Sequence, residues 1–456
     1  MKKPISFYFG LWAAKFFNLG LKICGKNIPY MVGNTAAKFC KGFVKYMDTP
    51  GTIISVTGTN GKTTVASMLT DIFRHNGYKT INNTGYNTFP GIIGTLIKST
   101  TWTGKTKYDV AILEIDEMTS DKTYSYITPD YLICCNLFRD SAKRNAHSEF
   151  IADIMRGAIP KETKLILNGD DIISSGLRTN QEAYYFGIDK TAQDVSTPPN
   201  IARDIVYCPK CGGNLKYDFF RYHHIGRCEC EACDYTSPKV DYDVISFDEE
   251  KMVMKTPTGN EEYKLLHSAI FNVYNMASAI TLLHQFGMDY NQIKSSMEAI
   301  KLDTTRYDKK VVAGIEYENL LAKGMNAVAC SRVFDSLSKD VVPMSVVVLI
   351  DDLHDNLYSS EFINWIYDMD CEFLGADHIK QIIFCGKRCY DYKLRCLLAG
   401  VPEDRIYTSF VEQEGANYLK LDGIEKVVLL HEVYLYDQSI ELEKKIIDKI
   451  QKEAGK

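Results

Sequence analysis

Two stretches of this sequence gather residue types that can do chemistry. The first is Ile53-Ile-Ser-Val-Thr-Gly-Thr-Asn-Gly-Lys-Thr-Thr64. Ile53 to Val56 reads as a short buried strand. Gly58 and Gly61 let the backbone turn tightly and bring its N–H groups close to a ligand. Lys62 supplies a positive point charge and the Thr63 hydroxyl can ligate Mg²⁺, while Thr59, Asn60 and Thr64 complete the loop. A helix opening at Lys62 and running through Phe73 adds its N-terminal dipole. Together these are the parts of a phosphate-binding loop. The general pattern G-x-x-x-x-G-K-[ST] asks for glycine where Val56 stands, so the generic match fails at one position. A plainer alternative is a Gly–Asn turn before a capped helix; Gly-Lys-Thr at the mouth of a strand–loop–helix favours nucleotide binding.

The second stretch is Cys208-Pro-Lys-Cys211 followed, after 18 intervening residues, by Cys230-Glu-Ala-Cys233. Two such knuckles can each deliver a pair of thiolates to one tetrahedral ion, the pattern of a zinc ribbon. Tyr217 to Tyr222 and the His223–His224 pair lie between them and can form the intervening strands. Cys228 is a spare thiol that competes with Cys230. Four thiolates close the coordination sphere, so the expected Zn²⁺ is structural.

Carboxylates mark the ends of apolar runs. Tyr108 to Glu114 is an apolar strand ending in Glu114, Asp116 and Glu117. In nucleotide-binding α/β sheets ligands sit at the carboxyl ends of strands, where a carboxylate can hold Mg²⁺. Glu114 is the metal candidate; Asp116 and Glu117 are also compatible with a solvated acidic loop. Further strands end at Asn136 and at Asn168-Gly-Asp-Asp171. Asn272 and Asn275 lie one turn apart, placed to face a purine and its ribose, although such a pair is ordinarily a capping or surface feature. Leu349-Ile-Asp-Asp-Leu-His-Asp355 closes another strand with Asp352 and Asp355, which an ordinary acidic loop would also explain.

These side chains need a scaffold, and the alternation of strands and helices from residue 51 onward supplies an α/β one. The chain has 456 residues, 45% hydrophobic and 24% charged, which suits a soluble protein of several domains. The expected division is a helical segment over 1–50, an ATP-binding domain over 51–302 with the ribbon inserted at 205–237, and a Rossmann-like α/β domain over 303–456. A net charge of −5 and the lack of a basic run argue against nucleic acid as a partner. Fourteen cysteines in so long a chain, several in apolar runs, fit core thiols in a reducing cytoplasm plus one metal site. Residues 5–47 read as two amphipathic helices. Lys15 and Lys22 interrupt the apolar run, which argues against a signal peptide or membrane span. Packing against the next domain is the favoured reading of these helices, and contact with the inner face of a membrane is the alternative.

T-G-T-N-G-K-T-T resembles the ATP loop of the Mur ligases. So does the succession L-E-x-x-E, N-L-F-R-D and L-N-x-D-D that follows it. F-N-x-Y-N-x-x-S-A, containing Asn272 and Asn275, is similar to a signature of that family that lies by the adenine. The resemblance also places Arg306 of Asp303-Thr-Thr-Arg306 beside the nucleotide, with a surface arginine as the alternative. Ala322-Lys-Gly-Met-Asn326 is similar to the S-K-A-T-N element, whose Lys (here Lys323) and Asn (here Asn326) approach the phosphates on domain closure. N-L-F-R-D and Trp365-Ile-Tyr-Asp-Met-Asp-Cys-Glu372 resemble the MurT branch. Two positions depart from that branch: Ser141 stands where Gln is usual, and Asp351-Asp-Leu-His-Asp-Asn356 replaces N-D-N-x-A-D-G, leaving the aligned aspartate open between Asp352 and Asp355.

The resemblance implies a Mur ligase central domain with a zinc-ribbon insertion and a Rossmann-like last domain. It further implies ATP, Mg²⁺ and Zn²⁺ as cofactors, and amidation of the α-carboxyl of D-glutamate in the lipid II stem peptide, a step of peptidoglycan synthesis. In that family the partner is GatD, a class-I-like glutaminase that supplies ammonia. This sequence holds no G-x-C-x-G elbow to hydrolyse glutamine itself. By the same resemblance Lys62, Glu114, Lys323 and Asp352 or Asp355 take the catalytic roles, the last pair orienting ammonia or completing the partner's site. Two other readings stay open: a ligase that adds an amino acid unaided, like the folylpolyglutamate synthases, and an ATP-binding scaffold without catalysis.

Overall fold

The computed structural model describes residues 3–139, 147–266, 268–300, 307–322, 324, 326–350, 363–432 and 435–454. Those within 1–139, 146–197 and 204–301 form one compact unit, and those within 198–203 and 302–456 a second.

The first unit is built on six parallel strands: β1 (Thr52–Thr57), β2 (Thr80–Asn82), β3 (Val110–Glu114), β4 (Tyr131–Cys134), β5 (Lys164–Asn168) and β6 (Ala183–Ile188). The hairpin strands of the ribbon, β7 (Leu215–Tyr222) and β8 (Ile225–Cys230), form their own antiparallel pair. Three further strands, β9 (Tyr242–Phe247), β10 (Lys251–Thr256) and β11 (Gly259–Lys264), extend the main sheet to nine, in the order β11-β10-β9-β6-β5-β4-β1-β3-β2. β9 continues the parallel run beside β6, and β10 and β11 close the edge antiparallel. β1 lies between β3 and β4, with parallel pairing on both sides. From there the chain winds first one way and then the other. Such a switch point leaves a crevice beyond the strands' carboxyl ends. β1, β3 and β5 are buried almost throughout, because helices cover both faces of a parallel sheet.

The unit's helices are α1 (Ile5–Ile23), α2 (Pro29–Phe39), α3 (Lys62–His75), α4 (Phe89–Ser99), α5 (Ser120–Tyr124), α6 (Ser148–Ala158), α7 (Ile172–Ser175), α8 (Ile270–Phe286) and α9 (Tyr290–Ala299). The N-terminal segment thus forms two helices, and their inner faces join the core. Phe7, Leu11 and Ala14 of α1 are fully buried, with Phe7 stacked on Phe43 at 4.8 Å. α2 crosses α4 at backbone contact: a Cβ on Gly33 would lie 2.0 Å from the Pro90 carbonyl oxygen, and one on Gly94 2.0 Å from that of Pro29.

The second unit carries a six-stranded sheet in the order β12-β13-β17-β14-β15-β16, parallel apart from the first pair. Its elements are β12 (Tyr307–Val312), β13 (Ile315–Leu321), α10 (Ala327–Lys339), β14 (Met344–Leu349), α11 (Asn364–Asp368), β15 (Ile379–Cys385), α12 (Cys389–Leu398), β16 (Ile406–Ser409), β17 (Lys426–His431) and α13 (Tyr436–Ala454). β14 is fully buried along its length. Residues 198–203 belong here rather than with their sequence neighbours. The Asn200 side-chain amide donates to Asp370 Oδ2 and the Ile201 N–H to Asp370 Oδ1, both at 2.7 Å. Asp370 is fully buried, so these donors satisfy a carboxylate that water does not reach.

Candidate active site

The loop between β1 and α3 takes its shape from its glycines and from the strand beside it. Gly58 has φ +127° and Gly61 φ +92°, values that a side-chain-bearing residue adopts only under strain. Neither position has room for a Cβ: one on Gly58 would lie 2.8 Å from the Asn136 carbonyl oxygen, and one on Gly61 2.3 Å from Asn275 Oδ1. Asn136, just beyond β4, fastens the loop. Its Oδ1 accepts from the Asn60 N–H at 3.0 Å, its Nδ2 donates to the Asn60 carbonyl at 3.1 Å, and its carbonyl accepts from the Thr59 N–H at 2.9 Å. The expected helix opens at Lys62, directly after Gly61 of the loop.

Two carboxylates meet this loop from the end of β3. Thr63 Oγ1 donates to Glu114 Oε2 at 2.9 Å. Lys62 Nζ bridges the Gly58 carbonyl, at 2.5 Å, and Glu117 Oε1, at 3.0 Å. Glu114 is held by Asn83, which accepts from its N–H at 2.7 Å and donates to its carbonyl at 2.9 Å. Asp116 and Glu117 are both buried, so the reading of these two as a solvated acidic loop does not hold. Glu117 is the ion-pair partner of Lys62, and Asp116 caps the turn that carries Glu117 by accepting from the Met118 N–H. Burial pushes the Cys135 thiol up to about 12 against the opposing charge of Lys62, and burial raises Cys134 well above its ordinary value. These thiols are inert core groups rather than nucleophiles.

Asn275 is buried against the loop, and Asn272 is half-buried in the first turn of α8. Tyr274, between them, ties α8 to the strand ends: its hydroxyl donates to Asp170 Oδ2 at 2.7 Å. Asp170 is fully buried and also receives the Ile188 N–H, Arg221 and Arg227. Its neighbour Asp171 caps α7 and accepts from the Leu137 N–H at 2.7 Å.

The four knuckle cysteines come together, all ligand atoms lying within 4.8 Å of one another. The Sγ atoms of Cys208 and Cys233 are 3.7 Å apart and those of Cys211 and Cys230 3.5 Å. A tetrahedral zinc–thiolate site has an S–S edge of about 3.8 Å, so the set fits one ion. Backbone N–H groups of Lys210, Gly213 and Ala232 point at three of the sulfurs, as thiolate charge requires. Cys228 is not part of this set. It is buried in the main core, where Ser237 Oγ donates to it. From the far end of the hairpin, His224 reaches the sheet, its Nε2 lying 3.1 Å from Asp171 Oδ1 and its ring 4.8 Å from that of Phe138.

In the second unit Asn326 caps α10, accepting from the Ala329 N–H at 2.8 Å. Lys323, Arg306, Asp352, Asp355 and Ser141 lie outside the described residues.

The sequence match decides the family. The chain is 30% identical over 395 residues, covering 85% of its own length and 87% of the relative's, to the subunit MurT of the glutamine-hydrolysing lipid II isoglutaminyl synthase of Staphylococcus aureus. The chain belongs to the MurT family. The model of the Mur ligase middle domain matches residues 56–210, and that of the MurT ligase C-terminal region residues 321–431. The fold agrees with this membership. A pseudomurein peptide ligase type C from Methanothermus fervidus superposes with a TM-score of 0.67 at 19% identity, covering 89% of this chain and 80% of that one. The MurF ligase of Thermotoga maritima, solved in complex with ADP, gives 0.58 at 12% identity over 92% and 85% of the two chains. A MurT-family chain thus keeps the Mur ligase fold around the Lys62–Glu117 and Thr63–Glu114 pairs. Glu117, Asn83, Asn136 and Asp171 are the residues that sequence reasoning did not assign to the site. Asn136 and Asp171 stand inside the motifs N-L-F-R-D and L-N-x-D-D that it did single out.

Proposed function

We propose that this chain is the ligase subunit of a glutamine-dependent synthase that amidates the α-carboxyl of D-glutamate in the stem peptide of lipid II, giving D-isoglutamine during peptidoglycan synthesis. The observation that carries this reading is the 30% identity to a MurT subunit, which extends into the region matched by the MurT C-terminal model.

A carboxylate is a poor acyl donor. Transfer of the γ-phosphoryl group of ATP converts it to an acyl phosphate; ammonia then attacks the acyl carbon and inorganic phosphate leaves. Phosphoryl transfer needs positioning and charge neutralisation more than covalent catalysis. Gly58, Thr59, Asn60, Gly61 and Thr64 form the phosphate cradle with Lys62 as its cation. Mg²⁺ would neutralise phosphate charge, and the hard oxygen donors of Thr63 and Glu114 suit it. Glu117 aims the Lys62 ammonium from the strand-end side. Asn272, Asn275 and Arg306 take the nucleoside side; Lys323, Asn326 and the Asp352/Asp355 pair keep the roles that family resemblance gives them. Zn²⁺ in the four-cysteine ribbon is structural. The ammonia donor is a GatD-like glutaminase, forming a heterodimer with this chain.

The test is to purify the chain with its co-expressed glutaminase subunit and assay lipid II with ATP and either glutamine or ammonia. Amidated lipid II from both nitrogen sources, with glutamine turnover lost when the glutaminase subunit is left out, supports the reading. Incorporation of a free amino acid instead would select the amino-acid-adding ligase, and ATP binding without any product would select the scaffold.

A further inference from the structure

α1 has two apolar faces where a surface helix needs one. Phe7, Gly10, Leu11 and Ala14 are buried against the rest of the unit. On the opposite side Ile5, Phe9, Trp12, Phe16, Leu19 and Ile23 are exposed, from 43% for Trp12 to 79% for Ile23. At 3.6 residues per turn these six fall within roughly 80° of the circumference, a continuous stripe along the whole helix. Trp102, on the loop after α4, extends it: the Phe16 ring lies 5.2 Å from that of Trp102, and Trp12 Nε1 donates to the Trp102 carbonyl at 2.9 Å. Two of the chain's three tryptophans are therefore half-exposed on one patch, while the third, Trp365, is buried.

Charge says what covers the patch. Residues 1–47 contain eight lysines and no aspartate or glutamate, in a chain of net charge −5. Residues 89–108, which carry α4 and Trp102, contain three lysines and again no acid. Lys22, Lys26, Lys38, Lys41 and Lys45 are exposed. An apolar stripe with tryptophans, carried by segments rich in lysine and free of acids, complements an anionic bilayer, where the side chains enter the acyl boundary and the ammonium groups meet the headgroups. Among the described residues no helix is long and apolar enough to cross a membrane, so such a contact lies in the interface plane.

We propose that the outer face of α1, with Trp102 beside it, docks this protein on the surface of an anionic membrane. The docking goes beyond the amidation reading and is separable from it, because it needs neither ATP nor lipid II.

The test uses the full chain and vesicles free of lipid II, of equal parts phosphatidylglycerol and phosphatidylcholine or of phosphatidylcholine alone. The expected result is co-sedimentation with the anionic vesicles, weakened by salt, and a blue shift of tryptophan fluorescence. The triple variant Phe9→Ser, Phe16→Ser, Leu19→Ser, which touches only exposed positions, should lose at least about tenfold in partitioning with an unchanged melting curve. The charge variant Lys22→Glu, Lys26→Glu should lose binding to anionic vesicles while keeping its fold. Failure of the parent chain to bind either vesicle, or equal binding by the triple variant, overturns the proposal. So does self-association or retention of a protein partner that the triple variant abolishes without any vesicle binding, since the face is then a protein interface.

Discussion

The hydroxyl of Thr59 serves both backbone polar groups of Phe138: it accepts from the Phe138 N–H at 2.9 Å and donates to the Phe138 carbonyl at 3.2 Å. One buried side chain thus joins the phosphate loop to the strand end that carries N-L-F-R-D. Replacing Thr59 with Val removes both bonds and leaves a buried donor and acceptor unmet. The expected cost is about 2–4 kcal/mol in chemical denaturation, together with a raised KM for ATP. Thr59→Ser, which keeps the hydroxyl, should retain most of both.

The four-cysteine ribbon reaches the same point through its hairpin. The Phe138 ring lies against His224, and His224 and the Leu137 N–H share Asp171. Metal analysis of natively purified protein should find about one zinc per chain. Chelation should first expose the amides of β7 and β8 to hydrogen exchange and raise KM for ATP, before the main sheet melts. Arg221 holds this hairpin to Asp170 and Asp194 with its guanidinium almost wholly buried. Arg221→Met takes a buried cation from both carboxylates, leaving Asp170 with Arg227 and Asp194 with the Thr191 N–H, and should cost about 3–5 kcal/mol.

In the proposed reaction Lys62 and Glu114 divide the work of charge neutralisation. Lys62→Ala removes the cation that steadies the transferring phosphoryl group and should lower kcat at least about 10²-fold. Glu114→Gln keeps the size and the Thr63 contact but weakens the metal site, so its activity should recover in part as Mg²⁺ is raised. Glu117→Gln should leave nucleotide binding nearly intact and lower kcat less than Lys62→Ala does, because it loosens the lysine without removing it.

Lys15 gives a pH signature of the N-terminal helix. Burial, and then the charge of Lys107, holds its ammonium down at about 8, against about 10.4 for a free lysine. Between those values the unfolded chain binds the extra proton, so stability should rise with pH across the window and the gain should vanish as pH falls through 8. The slope of the urea midpoint over pH 8–10 should flatten in Lys15→Met.

The strongest sequence signals concerned single local segments. α3 opens at Lys62 as the loop chemistry demands. The two cysteine pairs were readable because a knuckle is a contiguous motif, and the apolar runs over β1, β3 and β5 were readable because buried parallel strands are uniformly apolar. Strands β9 to β11 escaped because they mix polar with apolar residues and are buried only in part, a weaker signal than a buried run. Glu117 escaped for a different reason. In sequence it sits in an acidic loop, and only the fold brings it 55 positions back to Lys62. The N-terminal helices were half readable: apolar residues at helical spacing predicted the buried face, but the same spacing cannot tell one stripe from two.

The brief return of residues 198–203 to the second unit has a consequence for dissecting this chain. Cutting the polypeptide near residue 302 would separate Asp370 from the Asn200 amide and the Ile201 N–H that receive its charge. The fragment would keep the Asp370 carboxylate and leave the Asn200 amide and the Ile201 N–H on the other piece. The C-terminal unit is not severable at its obvious linker: part of what neutralises its interior is encoded some hundred residues upstream of where it begins.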